Sequence, residues 1–217
     1  MATTSTRSRS GANRSTSKSA TTDRTQDKPV SSNGDRGLSN FTVVAGAAGA
    51  GMALGVLAML GRKVAVQAPT YFAGEWDQAL AAEHKAVLKL FDALQATEDS
   101  ETSKRSVLLT QMKHALAKHA LEEENAVYPA LRDAGEIAGA DELNSEHGYV
   151  KQYLYDLENM PNNSPEFLVK VAKFRADIEE HMQEEEEALF PLLRSKLTAE
   201  QNKLLTQQMN KEGFKLA

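Results

Sequence analysis

The chain contains no cysteine, and that absence removes disulfides, thiolate nucleophiles, zinc ribbons and cysteine-ligated iron–sulfur clusters from consideration. Any metal it binds must be held by nitrogen and oxygen. Aromatic residues are scarce, at 6% against 41% hydrophobic, a composition that holds one domain of ordinary size if a substantial part of the chain stays outside it. The two-residue alternation of strands is missing from the C-terminal two thirds of the chain. So are a Ser/His/Asp arrangement, a phosphate-binding glycine loop and a dinucleotide fingerprint.

Apolar residues are nearly lacking from Met1 to Asn40, where Ser, Thr, Arg, Asn and Gly dominate. Such a segment cannot bury enough surface to offset the entropy of ordering, and it is expected to be a disordered basic tail. The net charge of −5 conceals a division: residues 1–63 carry nine Lys and Arg against three Asp and Glu, and residues 64–217 carry sixteen against twenty-seven. An acidic body argues against nucleic-acid binding by the folded part, because phosphates need a basic face. The tail could touch anionic lipid or nucleic acid non-specifically, or be a solvated arm.

One long uncharged run exists, the twenty residues from Phe41 to Leu60, followed by Gly61, Arg62 and Lys63. At about 1.5 Å per residue, a helix of that length would cross a hydrocarbon core of roughly 30 Å. Residues 41–61 are therefore expected to form a Gly/Ala-rich apolar helix, a candidate membrane span that anchors a cytoplasmic domain. Gly51 and Gly55 have the G-x-x-x-G spacing of close helix pairing in lipid. A helix lying against another surface is the alternative, as is a cleaved export signal, although forty residues precede the run. Residues 62–74 read as a linker.

From residue 75 to residue 217, apolar residues recur at three- and four-residue spacing through four long stretches. They predict helices over Glu75–Ala96, Thr102–Tyr128, Asp141–Asn159 and Pro165–Phe190, with Pro129 and Pro191 breaking or kinking the second and fourth. A short extra C-terminal helix is expected from Thr198, an N-cap candidate with Gln201 three residues on. Short connections make the fold class all-α, an antiparallel four-helix bundle.

The most informative segment occurs twice. His119-Ala-Leu-Glu-Glu-Glu-Asn-Ala-Val-Tyr-Pro-Ala-Leu-Arg132 recurs 62 residues later as His181-Met-Gln-Glu-Glu-Glu-Glu-Ala-Leu-Phe-Pro-Leu-Leu-Arg194, with eight of fourteen positions identical. Each copy places a carboxylate four residues after a histidine, His119 with Glu123 and His181 with Glu185, on one helical face a turn apart. The dipeptides Glu83-His84 and Glu146-His147 extend the duplication at an offset of 63. Each of the four helices thereby carries one histidine in its core stripe: His84, His119, His147 and His181.

A lone histidine on an apolar face is more often a hydrogen-bonded core residue than a ligand. Four of them, one per helix, do not fit that reading. An ionised Glu123 or Glu185 buried without a partner would cost several kcal/mol, and no Lys or Arg lies on these stripes, so cations are the fitting counterions. The other glutamates of each run are expected to form a solvated face, with Glu186 the chief rival to Glu185. Histidine and carboxylate in a helical bundle suit iron or manganese, and zinc on ligand type alone.

These residues resemble the hemerythrin-like (HHE cation-binding) family in His84, His119-x-x-x-Glu123 with Tyr-Pro-Ala-Leu, Glu146-His147, and His181-x-x-x-Glu185 with Phe-Pro-Leu-Leu. The resemblance covers about residues 75–195. It implies a non-haem di-iron centre bridged by Glu123 and the carboxylate after His181, with O2, nitric oxide or peroxide as small ligands and a role in binding or sensing O2, iron or nitric oxide, or in oxidative or nitrosative stress. A di-iron enzyme that decomposes peroxide or reduces nitric oxide, and a structural metal-stabilised interaction module, are the alternatives. One position departs from the oxygen carriers: they place a second histidine one turn after the third-helix histidine, where this chain has Lys151.

Overall fold

Helix follows helix from Gly37 to the C-terminus in a computed structural model that describes residues 37–217, with side chains from residue 55 onward, and no strand occurs among the described residues. The expected tail lies outside the described residues up to position 36; its last four residues belong to the first helix, α1 (Gly37–Ala73). Then come α2 (Trp76–Gln95), α3 (Thr102–Glu122), α4 (Tyr128–Asp133), α5 (Ile137–Glu158), α6 (Pro165–Glu184), α7 (Phe190–Lys196) and α8 (Ala199–Leu216). Residues 49–217 form one compact unit, and every candidate site residue belongs to it.

Four helices surround the histidines: α2 packs on α3 and α6, and α5 packs on α6 and α3. Their apolar stripes are buried as the spacing predicts, for example Leu80, Val87, Phe91 and Leu94 on α2 and Phe174 and Ile178 on α6. Two apolar clusters result. One holds Trp76, Leu80, Tyr128, Leu143, Phe190 and Met209, the other Val87, Phe91, Leu116, Leu154 and Phe174. On α2 and α5 the histidine falls between a residue of the first cluster and a residue of the second; on α3 and α6 a second-cluster residue precedes it, and Ala126 or Leu189 of the first cluster follows in the π turn, so the histidine layer is sealed by hydrocarbon on both sides. The turns into α2 and α5 use Gly74 and Gly135 at φ of 132° and 93°, conformations that side chains resist.

Pro129 and Pro191 do not end their helices. Each helix continues, to Asp133 and Lys196, through a five-residue π turn, Glu123–Val127 in one case and Glu185–Leu189 in the other. The Tyr128 N–H donates to the Glu123 carbonyl and the Phe190 N–H to the Glu185 carbonyl, bonds of five-residue span. The proline that follows each π turn then sits in the first turn of α4 or α7, where its missing N–H leaves no α-helical bond unmade. The widened turn is what lets the chain carry a proline without a break.

Three expectations change at the ends of the chain. Among the described residues no helix is long and apolar enough to cross a membrane, so the anchor read from residues 41–60 finds no support there; residues 41–54 of that run lie outside the described side chains. The segment 62–74, read as a linker, is helical through Ala73 because it docks: the Lys63 ammonium donates to the Phe214 and Lys215 carbonyls at 2.8 and 2.7 Å, and Gln67 and Thr70 are buried. The C-terminal helix is not short. Its 18 residues start at the expected Thr198–Gln201 capping box and bury Asn202, Leu205, Met209 and Gly213 against the α2–α3 face.

Gly213 is where this outer packing is tightest, since a methyl group there would overlap the buried Glu122 carboxylate and meet the Gln67 amide. Gly213→Ala should therefore lower stability by about 1–3 kcal/mol, the usual range for overpacking, as read by urea unfolding. An unchanged midpoint would show that α8 can shift freely.

Candidate metal centre

The imidazoles of His84, His119, His147 and His181 are all at least 95% buried, and the Glu123 and Glu185 side chains between them are fully buried. Their Nε2 atoms converge. His84 Nε2 lies 2.9 Å from His119 Nε2 and 3.3 Å from Glu185 Oε2; His119 Nε2 lies 3.1 Å, and His147 Nε2 3.3 Å, from Glu123 Oε2; His181 Nε2 lies 3.5 Å from Glu185 Oε2. Two donor groups tight enough to hold an ion follow: His84, His119, Glu123 and Glu185 in one, Glu123, His147 and His181 in the other. Glu123 belongs to both.

A second ring of carboxylates holds the outer nitrogens. His84 Nδ1 meets Glu186 at 2.7 Å, His119 Nδ1 meets Glu83 at 3.2 Å, His147 Nδ1 meets Glu124 at 3.0 Å and His181 Nδ1 meets Glu146 at 2.6 Å. An ionised carboxylate has no proton to give, so each Nδ1 carries the hydrogen, and a neutral imidazole then turns its Nε2 lone pair inward. This carboxylate–histidine arrangement is the one that orients metal-ligating imidazoles. The ring is two-fold in the sequence as well: Glu83 and Glu146 serve the second histidine of each half, and Glu124 and Glu186 reach across to the first histidine of the other.

Tyr128 also enters the centre, which α-helical spacing does not anticipate. Five residues on an α-helix are about 140° apart, but the π turn returns Tyr128 to the face of Glu123. Its hydroxyl donates to Glu185 Oε1 at 2.8 Å and lies 3.1 Å from His147 Nε2 and 3.3 Å from Glu123 Oε2. The corresponding residue of the second half is Phe190, stacked on His84 with ring centroids 6.3 Å apart. The signal available beforehand was the aromatic-proline pair at the same place in both copies.

Without a cation this arrangement is short of positive charge. Two Nε2 lone pairs facing each other at 2.9 Å need something between them, and Glu123 Oε1, Glu185 Oε2 and His181 Nε2 have no hydrogen-bond partner. Protons respond accordingly. Burial works against the imidazolium forms, yet the neighbouring carboxylates outweigh it and hold His84, His119 and His181 above the ordinary histidine value. Burial alone would raise Glu123; His119 and His147 bring it well below the usual carboxylate range. Burial and the two carboxylates push the Tyr128 phenol well up. Buried, convergent and unpartnered nitrogen and oxygen donors fit divalent or trivalent cations.

The family model for the hemerythrin HHE cation binding domain matches residues 77–193. The chain belongs to that family. Among curated relatives it is similar to a DNA nickase of Nostoc sp., 29% identical over 119 residues that make up 55% of this chain and 33% of the relative. It is also similar to an uncharacterized hemerythrin-like protein of Schizosaccharomyces pombe, 26% identical over 129 residues, 57% of this chain and 62% of the relative. The chain thus spans about a third of the one and under two thirds of the other. No solved structure matches it.

Within this hemerythrin domain the six expected ligands come together, and Glu185 rather than Glu186 lies between the histidines. Glu186 is exposed over 36% of its side chain and reaches only the outer nitrogen of His84. Lys151 is no ligand: its side chain is 66% exposed and bonds Glu124. The solvated face expected for the remaining glutamates needs correction, because Glu122 is fully buried. It faces away from the metal centre, where α1 and α8 cover α3, and takes part in a network with Lys118, Glu83, Thr70 and Gln67. Glu83, His119 and Glu122 also lie close enough to suggest an ion, but the Lys118 ammonium already bonds both carboxylates.

That network has a pH signature. Burial, then the charge of Glu83, raises Glu122 to about 8 from 4.5, so between those values the folded state holds a proton that the unfolded chain does not. Stability from this group is present at low pH and is lost as pH rises through about 8. Glu122→Gln, which has no such proton to lose, should flatten the decline: relative to wild type its Tm at pH 8.5 should gain at least about 2–4 °C over its Tm at pH 5, the shift that each kcal/mol produces at this size. Parallel Tm–pH curves would remove Glu122 as the group responsible.

Proposed function

We propose that this chain is a non-haem di-iron protein on an antiparallel four-helix bundle that binds a small ligand, O2, nitric oxide or peroxide, at its metal pair. The carrying observation is the sharing of Glu123 by two donor groups whose remaining ligands are inward-facing imidazoles and Glu185. His84 and His119 would hold one ion and His147 and His181 the other, with both carboxylates between them. Two ions so held would supply Lewis acidity and electrons to the bound ligand. Manganese and zinc accept the same donor types, and iron is the metal proposed.

The protein's own contribution is dryness and selection by size. Beside the centre, Leu116, Ala120, Val150, Ile178 and Met182 line a cavity of about 10 Å³ with His119, His147 and His181, no larger than the space one water needs. Its small size and largely apolar lining exclude bulky ligands. The acidic residues 64–217 offer poor footing for a DNA backbone, so the nickase activity named for the Nostoc relative does not enter the proposal. A catalytic role in consuming peroxide or reducing nitric oxide is the second reading, favoured by Lys151 standing outside the centre, which leaves coordination positions free.

Anaerobic loading with ferrous iron should give two irons per chain and a visible spectrum that changes with O2, peroxide or nitric oxide. Glu123→Ala and Glu185→Ala should each lose at least one iron. Glu186→Gln should keep both ions with affinity weaker by about 10–100-fold, as expected for a residue that only orients a ligand. Fewer than one iron per wild-type chain would refute the reading, and consumption of peroxide or nitric oxide above free-iron controls would decide for the enzyme.

A further inference from the structure

The two halves of the centre are not equivalent, and the difference is one oxygen atom. The donor group around His84 and His119 has four members, the one around His147 and His181 only three. Beside His147 of the three-member group the π turn delivers a hydroxyl, whereas the matching residue beside His84 is a phenylalanine. Tyr128 Oη stands 3.1 Å from His147 Nε2, 3.3 Å from Glu123 Oε2 and 2.8 Å from Glu185 Oε1. Donors each about 2.0–2.2 Å from one ion lie roughly 3 Å from one another, which is the spacing these atoms already have.

Packing does not explain the hydroxyl. The same position in the other half is Phe190, whose ring covers His84 as the Tyr128 ring covers His147, with centroids 6.3 and 5.3 Å apart. A phenylalanine therefore suffices to seal the layer. Placing a phenol there instead sets one proton among two carboxylate oxygens and an imidazole nitrogen, and it can satisfy only one of them. An ion among the same atoms would satisfy all three together with Oη.

We propose that Tyr128 is a ligand to the metal at His147 and His181, giving that position a phenolate oxygen that the position at His84 and His119 lacks. This inference rests on the di-iron reading above. Binding through Oη exchanges the phenol proton, released to solvent, for the ion. A phenolate is a hard, anionic oxygen donor, so it favours a trivalent ion such as ferric iron over a divalent one. Reversible O2 binding needs a readily restored ferrous pair, and a third anionic ligand works against that.

The test uses the full chain loaded with ferrous iron and then oxidised in air. A phenolate on ferric iron gives a visible charge-transfer band and phenolate modes in resonance Raman spectra excited into it. Tyr128→Phe should abolish both while two irons per chain remain, and it should raise the midpoint potential, because an anionic ligand is lost. The other four tyrosines are poor rivals: Tyr71, Tyr149 and Tyr155 are exposed and Tyr153 bonds Asp177. If Tyr128→Phe folds badly, global 3-fluorotyrosine labelling of the wild-type sequence should shift the band. A loaded wild type with two irons and no such band, or a band that survives in Tyr128→Phe, overturns the ligand assignment and leaves the di-iron reading standing. Less than one iron per wild-type chain overturns both.

Discussion

Two carboxylates with no exposure, Glu123 and Glu185, stand at the centre of a hydrocarbon-sealed layer, and the rest of the structure answers to their charge. Burying such groups costs several kcal/mol each unless they are paired. The imidazoles around them are the partners, and the imidazoles are in turn held by Glu83, Glu124, Glu146 and Glu186. Negative charge is thus arranged in two concentric rings with nitrogen between them. That order makes sense for a cation held at the middle, where each outer carboxylate strengthens an imidazole as a donor.

The π turns are the backbone's part in this. Each begins at the buried glutamate and is followed by an aromatic residue and a proline, so one local widening sets three things: the carboxylate's aim, the aromatic ring over the opposite histidine, and tolerance of the proline. In an uninterrupted α-helix, Tyr128 and Phe190 would leave the face of Glu123 and Glu185. The duplication carries the device into both halves. What differs is the chemistry at its end, a phenol in one half and a phenyl ring in the other.

The two-fold relation also fails on the outside. α1 and α8 lie over the side of Glu83 and His119, where Lys118 joins Glu83 to Glu122 in a buried network. On the corresponding side of the second half Glu146 remains about a third exposed, at 34%, and the residue matching Lys118 is Glu180. One imidazole–carboxylate pair is therefore locked beneath two helices while its counterpart meets solvent. The centre has one side covered by helices and one side nearer to water.

Much of this was legible in the chain itself, for a physical reason. Period and polarity are local properties, so the helices, the buried stripes, the four histidines and the pairing of His119 with Glu123 and His181 with Glu185 followed from spacing alone. Properties that depend on which surfaces meet were not. Glu122 looked like a solvated neighbour of Glu123 until α1 and α8 covered it, and residues 62–73 looked like a linker until Gln67 and Thr70 found buried partners. Tyr128 stood 140° from the centre by α-helical count, and only the wider turn that Pro129 accompanies brought its hydroxyl in. The sequence by itself determined the kind of chemistry, nitrogen and carboxylate donors repeated twice on helices, because that is written in residue type and interval. Tertiary structure alone decided which oxygen and nitrogen atoms meet and beside which histidine the Tyr128 phenol lies, because those depend on distances between segments far apart in the chain.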